Sequence, residues 1–279
     1  MTRIWTIARL TIQEGQRRSI VRLAVIMGIL FLVLYGVGLH YIFLQFEESG
    51  FSDRGEMDIA KTVLTMTGLY VTNFLVVIMS VLVSVASVSS EIDTHVIDTI
   101  VTKPLHRFEV ILGKWAGFAL MIIFYTLLLS GGVIMISWLR TDLLMNNVIA
   151  GLALLCLNAL VVMTLTIAGG TRISTLAKGV VAFMMYGLAF IGGWVETIGA
   201  AFRNETAVNI GIFSSLLMPI ESLWKKAAVL FQPRILGNPT FAGPFTVTSE
   251  PSNLMIVYAV FYVLALLAFA LWSFTRRDL

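Results

Sequence analysis

Apolar residues run continuously along this chain in six stretches, separated by short polar segments: Ala24 to Phe46, Met66 to Val88, Trp115 to Trp138, Val148 to Gly170, Gly179 to Ile198 and Leu254 to Phe274. About 20 apolar residues on a helix cross the roughly 30 Å hydrocarbon layer of a bilayer, so each stretch predicts one membrane span. None of them shows the two-residue alternation of a lipid-facing strand, and a backbone in lipid must satisfy its own hydrogen bonds, so the spans are read as helices. The expected fold class is an all-α integral membrane protein: a six-transmembrane-helix bundle forming one domain over residues 1–279.

Two segments outside those stretches also carry a pattern. In residues 1–22, Ile4, Trp5, Ala8 and Ile12 share one helical arc while Arg3, Glu14, Arg17 and Arg18 lie off it, which predicts an N-terminal amphipathic helix in the headgroup plane. With five arginines ahead of it and no Ala-x-Ala site behind a short apolar core, the first span reads as a signal anchor. A seventh span over Ala207 to Leu230 would bury Glu221, Lys225 and Lys226, at about 2.5 to 3.5 kcal/mol for each charge near mid-membrane. It would also contain Pro219, one of five prolines between the fifth and sixth spans. Region 199–253 is therefore expected to form short external helices and turns against the bundle mouth, before the last span.

Composition agrees with the pattern. Of 279 residues, 58% are hydrophobic and 13% charged, about half the charge of an ordinary soluble domain, and the mean hydropathy is +0.91. The single cysteine, Cys156, excludes an intrachain disulfide and a cysteine-cluster metal site. Net charge is +3, but sorting it by side is more informative: the side of both termini carries 12 basic and 6 acidic residues, and the other side 7 and 10. By the positive-inside rule both termini are expected in the cytoplasm, which accounts for the basic balance without nucleic acid as a partner.

Inside the six stretches the ionisable residues are His40 and Glu196, both near external ends, where interfacial solvation competes with a substrate contact. Ser80, Ser84 and Ser87 share a face of the second span with Asn73 further out, and the fourth span holds Asn158, Thr164 and Thr166. These read first as close-packing and interhelical hydrogen-bond positions, and second as lining of a substrate path. His40, His95 and His106 are unclustered and the methionines scattered, so no metal site is expected. No serine, aspartate or zinc constellation of an intramembrane protease occurs. A lipid-modifying enzyme likewise finds no catalytic group here.

The loop at 89–114, between the second and third spans, is polar and expected in the cytoplasm. Val96, Ile97, Ile100 and Val101 recur at helical spacing, Lys103-Pro104 ends that helix, and Arg107 to Lys114 lead into the next span. An apolar face directed away from the membrane requires a partner. In Glu91, Thr102, Lys103, Pro104, Arg107, Gly113 and Lys114 the loop resembles the permease subunits of ABC transporters of the type 2 exporter class, which carry an acidic residue, Lys-Pro, Arg and Gly-Lys in this order; His95 and Val96 stand where Gly-Thr is usual in that family. The amphipathic N-terminal helix, six spans and large external region before the last span extend the resemblance over most of the chain.

The resemblance implies a transmembrane permease subunit of an ATP-driven exporter, forming half of a translocation pathway in a prokaryotic plasma membrane. Its partners would be two copies of a cytoplasmic ABC ATPase, a second permease copy or paralogue, and membrane lipids. ATPase coupling would rest on Glu91 at the start of a coupling helix and on Ile97, Ile100 and Val101 as its docked face. Lys103 and Pro104 would close the helix, with Arg107 and Lys114 facing acidic ATPase residues or headgroups. Because Gly113-Lys114 is followed by Trp115 and lacks an upstream phosphate-loop glycine, the chain is expected to be no ATPase itself and to hold no cofactor, with ATP and Mg bound by the partner. A non-transporting membrane scaffold or assembly factor is the alternative that the same bundle permits.

Overall fold

A computed structural model of the chain describes residues 2–48, 54–93, 107–143, 145–169, 175–232 and 250–275. Among them every regular element is an α-helix: α1 (Thr2–Arg17), α2 (Ser19–Glu48), α3 (Arg54–Asp93), α4 (Arg107–Thr141), α5 (Val148–Gly169), α6 (Thr175–Ala201), α7 (Glu205–Leu217), α8 (Ile220–Phe231) and α9 (Leu254–Thr275). Six of them, α2 to α6 and α9, are long and apolar enough to cross a membrane. All six expected stretches fall on these helices, which makes the chain a multi-pass membrane protein. At 1.5 Å per residue, the 40 residues of α3 reach about 60 Å, twice the hydrocarbon thickness, and the 35 residues of α4 are also longer than a span requires.

Helix α5 is the centre of the bundle and packs against α3, α4, α8 and α9. Lipid tails are as apolar as leucine, so association among the spans depends on close approach and on polar clasps. The clasps are present. Asn158 Nδ2 on α5 donates to Asn73 Oδ1 on α3 at 2.8 Å, and Trp115 Nε1 on α4 donates to Thr164 Oγ1 on α5 at 2.9 Å. Ser137 on α4 meets Tyr35 of α2 at 2.9 Å and Thr65 of α3 at 3.1 Å. Ser80, Ser84 and Thr166 return their hydroxyls to carbonyls of their own helices. These contacts assign Asn73, Asn158 and Thr164 to interhelical packing.

The leading segment is helical, and its buried face overlaps the apolar arc through Ala8 but leaves Trp5 out. Ala8 and Thr11 are buried against α4, where Gly113 and Gly117 leave room for them: a Cβ on Gly113 would lie 2.6 Å from Ile7 Cβ, and one on Gly117 2.8 Å from the Ala8 carbonyl oxygen. Trp5 stays 62% exposed. The buried face is thus rotated toward Ile7, Thr11 and Gly15, because the small-residue groove of α4, rather than apolarity alone, decides how α1 seats. At the same end of the bundle Arg3 approaches Glu109 at 4.0 Å, and Ile111 of α4 packs with Leu271 and Phe274 of α9, so the start of α1 and the end of α9 lie at one end of the bundle.

The segment between the fifth and sixth spans departs from expectation in depth. Arg203, at φ 53°, ends α6 in the left-handed region, and Asn204 caps α7 by accepting from the Ala207 amide at 3.2 Å. Helix α7 then descends beside α6 until Ser214 Oγ donates to the Leu188 carbonyl, midway along α6, at 3.0 Å. Pro219 lacks the amide hydrogen that would continue the ladder, and the chain turns by 103° into α8. The elbow lies well inside the bundle, since Tyr262, eight residues into α9, donates to the Leu217 carbonyl at 3.0 Å. Helix α8 ends with Phe231 over Gly151, near the start of α5. The two short helices therefore form a bent pair, re-entrant or span-breaking, that packs between α5, α6 and α9 instead of resting on the bundle mouth.

Candidate functional site

Two places bear on function, at opposite ends of the bundle. The first is the loop between α3 and α4. Glu91 stands in the last turn of α3 and Arg107 opens α4, so the loop begins and ends on the long helices that contain the second and third spans. Ile97, Ile100, Val101, Lys103 and Pro104 lie outside the described residues, and so does the expected short helix that carries them. Lys114 is in α4, buried to 9% exposure beside the helix face that receives α1, a setting within the chain's own packing and not at an outward surface. Gly113 of the same motif seats α1, a role that spacing alone does not reveal.

The second place is the polar cluster around the bent pair. Glu196 in the last third of α6 is only 8% exposed, and its Oε2 is 2.9 Å from Nζ of Lys225 on α8. The interfacial solvation expected for Glu196 is therefore replaced by a buried ion pair. Lys225 also donates to the Gly193 carbonyl at 3.2 Å. Glu221, one turn before Lys225 and 6% exposed, lies against Gly193 and within electrostatic reach of both Lys225 and Glu196. Glu196, Glu221 and Lys225 together hold two carboxyl groups for one ammonium. Beside them Lys226 pairs with Glu250 at 2.5 Å and donates to the Pro251 carbonyl at 3.1 Å. Aromatic rings close the inner side: Trp224 sits edge-on to Tyr70 with ring centres 5.1 Å apart, and Tyr186 and Phe190 follow along α6.

A buried charge is retained only where a partner and hydrogen bonds compensate its desolvation, which explains why the charges come as a set. The sequence signal was present in part, because Glu221 and Lys225 are four residues apart on a helix and Glu196 is ionisable within a span. What joins them is the fold of the bent pair. Chemically, the cluster binds α8 to α6 through the Lys225–Glu196 pair and the Lys225 bond to the Gly193 carbonyl. Among the described residues no group of three His, Cys, Asp or Glu side chains is placed to hold a metal ion. His40 lies elsewhere, in an apolar cleft of about 540 Å³ between α2 and α4 with Tyr41 and Arg140.

No protein-family model matches the chain, and no curated protein sequence matches it.

Proposed function

We propose that this chain is the transmembrane permease subunit of an ATP-driven export system of the ABC type 2 class, working in a prokaryotic plasma membrane with both termini in the cytoplasm. It would pair with a second permease copy or paralogue and take its energy from two copies of a separate ABC ATPase. The observation that carries this reading is the motif Glu91…Thr102-Lys103-Pro104…Arg107…Gly113-Lys114, joined at both ends to helices longer than the bilayer is thick. A partner pushing on such a loop would move the second and third spans as levers, and α1, clamped on α4, would move with them.

The amphipathic α1 would lie at the cytoplasmic headgroups, with exposed Trp5 and its arginines toward lipid. Few charges on the spans favour lipidic or amphipathic cargo over small ions. The test is co-purification. The gene is expressed with a neighbouring ATPase frame, and Ile97→Asp or Ile100→Asp is expected to lower recovery of the ATPase roughly tenfold, a loss of about 1.4 kcal/mol, while insertion into the membrane is unchanged. Unchanged recovery would falsify the docking assignment, and a chain that recruits no ATPase in any form supports the scaffold reading.

A further inference from the structure

The apolar cleft between α2 and α4 runs along α2 from Ile29 to His40, and eleven residues at 1.5 Å each make it about 16 Å long. That is roughly one leaflet, half of the 30 Å hydrocarbon layer. Gly36 makes the hollow midway: a Cβ there would meet only Ile136 of α4 within 4 Å, at an ordinary 3.6 Å. Deeper in, the walls are aliphatic, with Ile29 and Val33 about half exposed on a surface that lipid would cover. At the other end stand His40, Tyr41 and Arg140. Tyr41, 67% exposed with its ring against His40, marks headgroup depth, where tyrosine collects at membrane surfaces. Because α1 seats on the start of α4 and Arg140 stands in its last turn, this polar mouth lies at the end of the bundle away from α1.

We propose that this cleft is a site for an anionic phospholipid, its phosphate at Arg140 and His40 and one acyl chain along Gly36, Val33 and Ile29. Two observations carry the head chemistry. The first is charge: Arg140 is the one charged side chain lining the cleft, and no carboxylate lines it. Among the described residues Arg140 forms no ion pair, with Asp142 two positions along or with any other, and its guanidinium makes no hydrogen bond. A guanidinium forks onto two phosphate oxygens, whereas a head that carries its own ammonium would bring a second cation to a mouth with no carboxylate to receive it. The second is hydrogen bonding: His40, partly buried at the same mouth, also has no hydrogen-bond partner among the described residues, so a ring N–H is left to donate to a bound oxygen. The hollow over Gly36 sets the rest of the ligand, because an acyl chain lying there gains dispersion contacts with both helices that a flat lipid-facing surface does not offer. The site needs no ATPase, cargo or second subunit, so it is tested apart from the transport reading.

The experiment places the full chain in phosphatidylcholine nanodiscs with traces of three diacyl probes, each carrying a photoreactive diazirine midway along one chain: phosphatidylglycerol, phosphatidylcholine and diacylglycerol. Cross-linked residues are located by peptide mass spectrometry, and the exposed face of α9 at Val257, Phe261 and Leu264 is the reference for lipid held by apolarity alone. On residues 29–37 the phosphatidylglycerol probe is expected to label roughly tenfold more than either of the others, with no such difference on α9. Arg140→Gln, a change at an exposed side chain, should bring the three probes level without altering thermal stability. Gly36→Leu should lower labelling of the cleft by every probe to the α9 level. Should that variant lose thermal stability, Val33→Trp serves instead, since Val33 is 56% exposed and the larger ring fills the same space. Equal labelling by phosphatidylglycerol and phosphatidylcholine overturns the anionic head, a preference that survives Arg140→Gln overturns its seat, and labelling of the cleft no greater than that of α9 overturns the site.

Discussion

Gly211 on α7 faces Glu196 on α6 so closely that an added Cβ would collide with the Glu196 side chain and lie 2.8 Å from the Gly192 carbonyl oxygen. A backbone oxygen cannot rotate away as a side chain can, so Gly211→Ala is expected to push α7 off α6 and destabilise the protein by about 1 to 3 kcal/mol. Thermal unfolding in detergent, followed by tryptophan fluorescence, measures it; a melting temperature unchanged from the parent would contradict the packing. Lys225 governs the neighbouring charges. Lys225→Met removes the ammonium 2.9 Å from Glu196 and beside Glu221, and a cost of about 3 to 5 kcal/mol is expected. Adding Glu196→Gln to that variant should restore part of the loss, because the buried carboxylate that Lys225 paired is then neutral. A double variant as unstable as the sum of the two single ones would show that the 2.9 Å pair contributes no coupling.

At the level of elements, α1 and the α7–α8 pair show how contact surfaces decide placement. Helix α1 has an amphipathic sequence, yet it seats through Ala8 and Thr11 on the glycine groove of α4. Gly117→Leu would fill that groove and is expected to release α1 while leaving the six spans inserted. Limited trypsin digestion then cuts at Arg17 and Arg18 faster than in the parent, and an unchanged rate would place the attachment elsewhere. The bent pair depends on Pro219 and the hydrogen bonds around the elbow, where Tyr258 and Tyr262 donate to the carbonyls of Leu216 and Leu217. Those two carbonyls lie near the end of α7, where no further helical turn supplies donors.

For the whole molecule, the decisive question is how many times the chain crosses. A single native cysteine makes the test direct: in a Cys156→Ser background, cysteines at positions 203 and 232 flank the bent pair. Both are expected to react with an impermeant maleimide from the same side of a sealed vesicle, and from the side opposite to a cysteine placed at position 3. Labelling of 203 and 232 from opposite sides would convert the pair into a seventh span and move the end of α9 to the other face. Counted on the six-span arrangement, the sequence carries a net +6 on the side of the termini and −3 on the other, and the labelling pattern is what separates six crossings from seven.

The existence of the spans was legible in sequence because hydropathy is a local property: a run such as Leu254 to Phe274 must leave water whatever surrounds it. The expected sidedness rests on residues such as Arg17, Arg18 and Arg22 counted one by one, and the maleimide labelling is its test. The motif in the loop between α3 and α4 was legible only as a string of residue types. Tertiary structure alone decided that Glu196 meets Lys225 across 29 positions of sequence, that His40 and Arg140 share a cleft, that Gly113 seats α1 and that Pro219 turns the chain inside the bundle. The physical reason is that lipid removes most of the hydrophobic preference for one neighbour over another, so which helices touch is set by small residues, polar pairs and broken hydrogen-bond ladders acting together over distance.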